Sequence, residues 1–264
     1  MKLNFVINDY YLVWNLLFQT NTKGVIENIK RKIYNNYKKD LKIIYNEKKE
    51  LLSDYKNYIP DNDTIYNLII ENNIYEKIYK EAEKYRLRLM SIWDKYKKDI
   101  NSFISKYLKI DINNYDVLVV NKETNLIEVY NHIICMGLYE KDDINLILKV
   151  VKEIIIKNTK NYPKEILIYK DVIIELLIDG ELKSMLLNKS TYKNELEITS
   201  FKRYLYPYIL MFMGCEKDRL YSREEKDNII FDINKYTYER QIKNITVEEF
   251  IDFCVRNRKH IQSK

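Results

Sequence analysis

Four glycines and three prolines in 264 residues constrain this chain more than any other feature. Glycine supplies the positive φ of tight turns, and proline presets the first corner of a turn. A chain so poor in both spends its length in long helices rather than in hairpins and bulges. The apolar spacing agrees. From about residue 22 to 58, Ile26, Ile29, Ile33, Tyr37, Leu41, Ile44, Leu51, Leu52 and Tyr55 recur at three- and four-residue steps between lysines. That period predicts one long amphipathic helix, or two with a kink. Pro60-Asp-Asn-Asp63 interrupts it and caps a shorter helix to about Glu71. A second long helix covers about 74–108, with Ile78, Ala82, Tyr85, Leu89, Ile92, Trp93, Tyr96, Ile100 and Ile104 on its buried side. These stripes wander off strict heptad positions, which favours packing in a helical layer over a coiled coil.

Only the N-terminus and a central stretch read as strands. Leu3–Ile7 is a short strand, after which Asn8 or Asp9 caps a helix to about Gln19. Beyond Asp111 the texture becomes β-branched. Tyr115–Val120 and Leu126–Tyr130 flank Asn121–Asn125 and predict a hairpin, with His132–Leu138 as a third strand. Asp142 or Asp143 then caps a helix over Ile144–Asn158, and another runs from Pro163 to about Leu187. Ser200–Met213 is a helix closed by Gly214. A charged segment surrounds Ser222–Asp227. Thr246-Val-Glu-Glu249 is a capping box that opens a last helix over Val247–Arg258. The expected class is α+β, predominantly helical, with a small mixed or antiparallel sheet. A helical N-terminal lobe spans 1–110 and an α+β region with C-terminal helices spans 111–264, either as two domains or as one continuous domain.

With 46% apolar and 32% charged residues, the composition is that of a globular protein rather than a disordered one. The net charge of +6 raises nucleic-acid binding, but basic and acidic residues interleave. Heavy use of Lys, Asn, Ile and Tyr, all with AT-rich codons, accounts for the excess through genomic base bias. Cys135, Cys215 and Cys254 are far apart in apolar contexts, which fits buried free thiols in a reducing compartment. The N-terminal apolar run is too broken for a signal peptide, and no run is long enough to span a bilayer. The expected location is the cytoplasm.

Two apolar helices carry the candidate site. Residues 148–156 read Leu-Lys-Val-Val-Lys-Glu-Ile-Ile-Ile, and 173–179 read Ile-Ile-Glu-Leu-Leu-Ile-Asp. The first overlays on H-E-x-x-H with Lys152 and Ile156 where histidines would stand. The second has an E-x-x-x-D spacing that begins 19 positions beyond Ile156. In this order, after strands, the chain resembles the zincin metallopeptidases of the gluzincin branch, over about residues 115–213. The resemblance implies that Glu153 matches the general base, Glu175 the third zinc ligand, and Asp179 the carboxylate that orients a histidine. It also implies a small sheet whose edge binds peptide. The same residues are explained as core packing by Ile144, Ile147, Leu148, Val151, Ile154 and Ile155, with Lys149 and Glu153 an ordinary i,i+4 pair.

The departures remove the chemistry that the family implies. A protonated Lys152 and an isoleucine cannot ligate zinc, and the two histidines, His132 and His260, lie elsewhere. Two carboxylates without imidazole make a poor zinc site, so no metal, cofactor or catalytic residue is expected. Glu153, Glu175 and Asp179 are expected to face one another, with Lys152 as the nearby cation and partner of Glu175. The functional expectation is a non-catalytic zincin-like protein that binds a peptide or protein in the relict groove. The alternatives are a metal-dependent hydrolase with atypical ligands, and a basic helical regulatory or nucleic-acid-associated protein. His132 reads as a strand-edge or core residue. The aromatic run Phe201, Tyr204, Tyr206, Tyr208 and Phe212 reads as core, and Trp14 and Trp93 as buried anchors.

Overall fold

The computed structural model describes residues 1–18, 27–28, 30–31, 34–35, 38, 41–59, 73–188, 200–214 and 239–262. Helices dominate it, and one four-stranded mixed sheet stands among them. The chain groups into two units, each assembled from two stretches: 1–95 with 113–146, and 96–112 with 147–264. The sequence pattern alone predicts a single boundary, at 110/111. Grouping by stretches results from the sheet, whose first strand lies at the N-terminus and whose others lie beyond residue 114.

In the first unit, β1 (Leu3–Val6) leads into α1 (Asp9–Phe18). Asn8 caps that helix, its Oδ1 accepting from the Tyr11 N–H at 2.8 Å. Two short helices come next, α2 (Leu41–Asn46) and α3 (Lys48–Ser53). They meet at Glu47, where the helical stretch is interrupted by a single turn residue. The shorter helix expected after Pro60 lies outside the described residues. The long helix α4 (Asn73–Phe103), whose residues from Tyr96 on belong to the second unit, ends in a π-turn over Ile104–Leu108, where the Lys109 N–H reaches back five residues to the Ile104 carbonyl. Ile78, Ala82, Tyr85, Leu89, Ile92, Trp93, Ile100 and Ile104 are buried, as their spacing predicts, whereas Tyr96, expected among them, is only partly buried.

The strands β2 (Tyr115–Val119), β3 (Leu126–Tyr130) and β4 (Ile133–Gly137) complete the sheet in the order β1-β2-β4-β3. The first two pairings are parallel and the last is antiparallel. This corrects the expected hairpin: β2 does not pair with β3. Asn121–Asn125 instead form a 3₁₀ turn, in which the Asn121 side chain accepts from the Glu123 N–H and Asn125 takes φ 52°. The turn passes across Gly137 so closely that a Cβ there would lie 2.3 Å from Thr124 Oγ1 and 2.4 Å from the Asn121 carbonyl. The real hairpin joins β3 to β4 through Asn131-His132, with Asn131 at φ 45°. His132 is therefore an exposed loop residue rather than a strand residue.

Strand alternation divides the sheet's side chains between two faces. On one, Leu118, Val120, Leu126 and Cys135 pack against Tyr11, Trp14, Leu17, Leu51, Leu52, Ile78 and Ala82. Val117, Val119, Ile134 and Met136 are buried on the other. Cys135 and Cys254 are both buried free thiols, and burial pushes Cys135 up to about 12. Cys215 lies outside the described residues.

The second unit is helical. Its elements are α5 (Asp143–Asn158, whose first turns belong to the first unit), α6 (Lys164–Glu175), a π-helical segment (Leu176–Leu182) and α7 (Lys183–Leu187). They are followed by α8 (Ser200–Phe212), α9 (Glu239–Ile242), α10 (Val247–Arg256) and α11 (Arg258–Gln262). Asp142 caps α5 through its Oδ1, the capping box at Thr246 is formed, and Gly214 closes α8 at φ 78°. The segment Ser222–Asp227 lies outside the described residues. Trp14 and Trp93 are buried, as are Tyr206, Tyr208 and Phe212. Among the described residues no helix is long and apolar enough to cross a membrane.

Candidate functional site

The site is built by an antiparallel helix pair. Pro163 opens α6, because a residue without an N–H forfeits nothing at a helix start. Lys170, buried on α6, donates to the carbonyls of Ile156, Thr159 and Lys160 at 2.8, 3.2 and 3.1 Å. These carbonyls lie at the C-terminal end of α5, where helix carbonyls lack intrahelical partners and the dipole favours a cation. Burial lowers the Lys170 pKa, yet the three carbonyls hold the ammonium in place. This clamp fixes the register in which Lys152, one turn before Ile156, comes opposite Asp179.

Lys152 Nζ lies 2.6 Å from Asp179 Oδ2, each side chain about one-quarter exposed. Glu175 pairs with Lys202 of α8, Nζ to Oε1, also at 2.6 Å, with Lys202 the more buried partner. The expected pair Lys152–Glu175 is therefore exchanged for two pairs, and Lys152 is not the lone cation at the site. Sequence spacing could not place Lys202. It arrives from a helix 27 residues downstream, and only a lysine inside an aromatic, apolar run marked it.

A π-helical segment carries the centre of this arrangement. It starts directly after Glu175, contains Asp179, and ends with the Lys183 N–H reaching the Ile178 carbonyl five residues back. Each extra residue in a π-turn rotates the downstream side chains around the helix axis, and such turns are frequent at functional sites. Here the turn sits against α8, where Lys202 and Tyr206, one turn apart, meet Glu175 and Glu181 respectively. Glu181, Lys183 and Lys202 are all buried. Glu181 and Lys202 thus gain their partners across the contact between the two helices.

Glu153 stands apart from both pairs. Burial raises its carboxyl pKa, and nearby Asp171 adds to the rise while Lys152 offsets part of it. A half-buried carboxyl with a raised pKa is the state of a general acid or base. Ile156, in the position of the second histidine, is a partly buried aliphatic residue that contributes its carbonyl to Lys170. Among the described residues no group of three or more His, Cys, Asp and Glu side chains is placed to hold a metal ion. No protein-family model matches the sequence, and no curated protein or solved structure matches it significantly.

Proposed function

We propose that this chain is a non-catalytic, zincin-like protein that binds an extended peptide or protein segment along the free edge of its sheet. The observation that carries the reading is the exchange of charges on the helix pair. Lys152, where a gluzincin's first histidine would stand, pairs with Asp179, where the histidine-orienting carboxylate would stand. Glu175, where the third ligand would stand, receives its positive charge from Lys202 rather than from a metal. Removing zinc from such a site leaves carboxylates that repel one another, and burying like charges is costly. Two lysines relieve that cost while the helix pairing is kept. Lys152 and Ile156 supply no imidazole at the two histidine positions, and the carboxylates alone are a poor donor set for zinc, the ion that would lower a water pKa to about 7.

The sheet supports the binding half of the reading. Among the described residues β3 pairs only with β4, so its outer edge keeps an unpaired row of backbone groups. The opposite edge differs: Arg86 Nη1 donates to the Phe5 carbonyl of β1 at 3.3 Å. An added strand gains main-chain hydrogen bonds at β3 and meets a blocked acceptor at β1. The test has two arms. Purified protein should carry far less than one zinc per chain, and its Tm should not change with a chelator. A neutral, acetylated hexapeptide of alternating valine and threonine should bind saturably. Stoichiometric zinc would return the hydrolase reading, and no saturable peptide binding would remove the strand-docking half.

A further inference from the structure

The hairpin fixes which backbone groups β3 offers. Tyr130 and Ile133 flank a two-residue loop and form a pair that exchanges both hydrogen bonds, as tight hairpins do. At period two, Glu128 opposite Cys135 and Leu126 opposite Gly137 also point their N–H and C=O groups toward β4. Ile127 and Val129 therefore turn theirs outward. Both side chains are half-buried and share the sheet face of Ile134 and Met136.

On the other face, Glu128 projects beside the same free edge with its side chain 39% exposed. Lys48 of α3 donates to its Oε2 at 3.1 Å, and the Tyr130 hydroxyl donates to that same oxygen. Among the described residues Oε1 accepts no hydrogen bond. The Lys48 ammonium sits 4.8 Å from the Trp14 ring and 5.3 Å from the Tyr130 ring. Aromatic faces and a carboxylate thus already define a cation-favouring corner at the edge. A strand laid along β3 places one of its side chains directly opposite Glu128, within reach of Oε1.

We infer that the outer edge of β3 takes an extended peptide with a lysine or arginine opposite Glu128 and apolar side chains beside Ile127 and Val129. The inference rests on the strand-docking reading above and adds the partner's side-chain chemistry. A basic residue completes the unused half of the carboxylate, an acidic one meets like charge, and a neutral hydroxyl falls between. Charge complementarity at Glu128, rather than the overall basic charge of the chain, selects the partner.

The experiment uses the whole protein and three acetylated, amidated hexapeptides in which valine alternates with lysine, threonine or glutamate. The lysine peptide should bind about tenfold more tightly than the glutamate peptide, on the scale of opposite versus like cross-strand charges. Glu128→Gln should collapse that preference, and Lys48→Met, which frees both carboxylate oxygens, should widen it. Val129→Pro removes one outward N–H without touching the β3–β4 ladder, and should abolish binding of all three peptides with the circular dichroism unchanged. Equal binding of the three peptides, or a lysine preference that survives Glu128→Gln, overturns the charge selection and leaves strand docking standing. Binding of none of them overturns strand docking itself. A dimer in sedimentation that Val129→Pro dissolves would assign the edge to a second copy of the chain and overturn the inference.

Discussion

Glu153 carries the clearest electrostatic signature of the helix pair. Its folded-state pKa lies above the ordinary glutamate value because burial disfavours the charge. Linkage sets the sign: the contribution to stability is fully present below the unfolded pKa and is lost as pH rises through the folded one. Glu153→Gln should therefore raise Tm at pH 7 by about 1–2 °C, with the gain vanishing near pH 4 in a series of thermal melts. The two ion pairs should rank by burial. Lys202→Met strands Glu175 beside apolar neighbours and should cost about 1–3 kcal/mol, most of it recovered by adding Glu175→Gln. Lys152→Met, at a more exposed pair, should cost about 1 kcal/mol or less. Urea titrations of the single and double variants measure all three. The carboxylates of this site were legible in the sequence because they lie at fixed spacing on two helices. Their cations were not: the choice between Lys152 and Lys202 for Glu175 is made by how α8 crosses the π-helical segment.

Among the elements, helices were the more legible. Their stripes are local, and the positions spaced for burial along α4 are buried except Tyr96, which is partly exposed. Caps at Asn8, Asp142 and Thr246 also formed as their chemistry dictates. The sheet was less legible, because strand pairing is a long-range choice. Asn121–Asn125 and Asn131-His132 both have turn chemistry, and only the second joins neighbouring strands. The π-turns had no signal in the apolar pattern. Gly137 is the residue on which the observed pairing leans, since the 3₁₀ turn crosses it at distances no Cβ tolerates. Gly137→Ala should cost about 2–3 kcal/mol or more, because the Asn121 carbonyl it meets is backbone and cannot swing aside. Chemical denaturation read by far-UV circular dichroism checks this. A loss under about 0.5 kcal/mol, the range of an ordinary surface change, would mean the turn moves freely.

At the scale of the whole molecule, the scarcity of glycine and proline predicted that helix dominates, and the β-branched runs predicted a small sheet. The described residues form a predominantly helical α+β chain with a four-stranded mixed sheet. What that scarcity could not convey is the grouping of the N-terminal strand with strands more than a hundred residues later. The proposed zincin-like reading holds that lysines stand where a metal site's charges would balance. The measurement that tests it most directly is zinc binding by the variant carrying Lys152→His, Ile156→His and Lys202→Met, with the unaltered protein beside it. The account predicts one tightly bound zinc per chain in the variant, lost on adding Glu175→Gln, and none in the unaltered protein. A folded variant that binds no zinc, or binds it equally well without Glu175, would contradict the account.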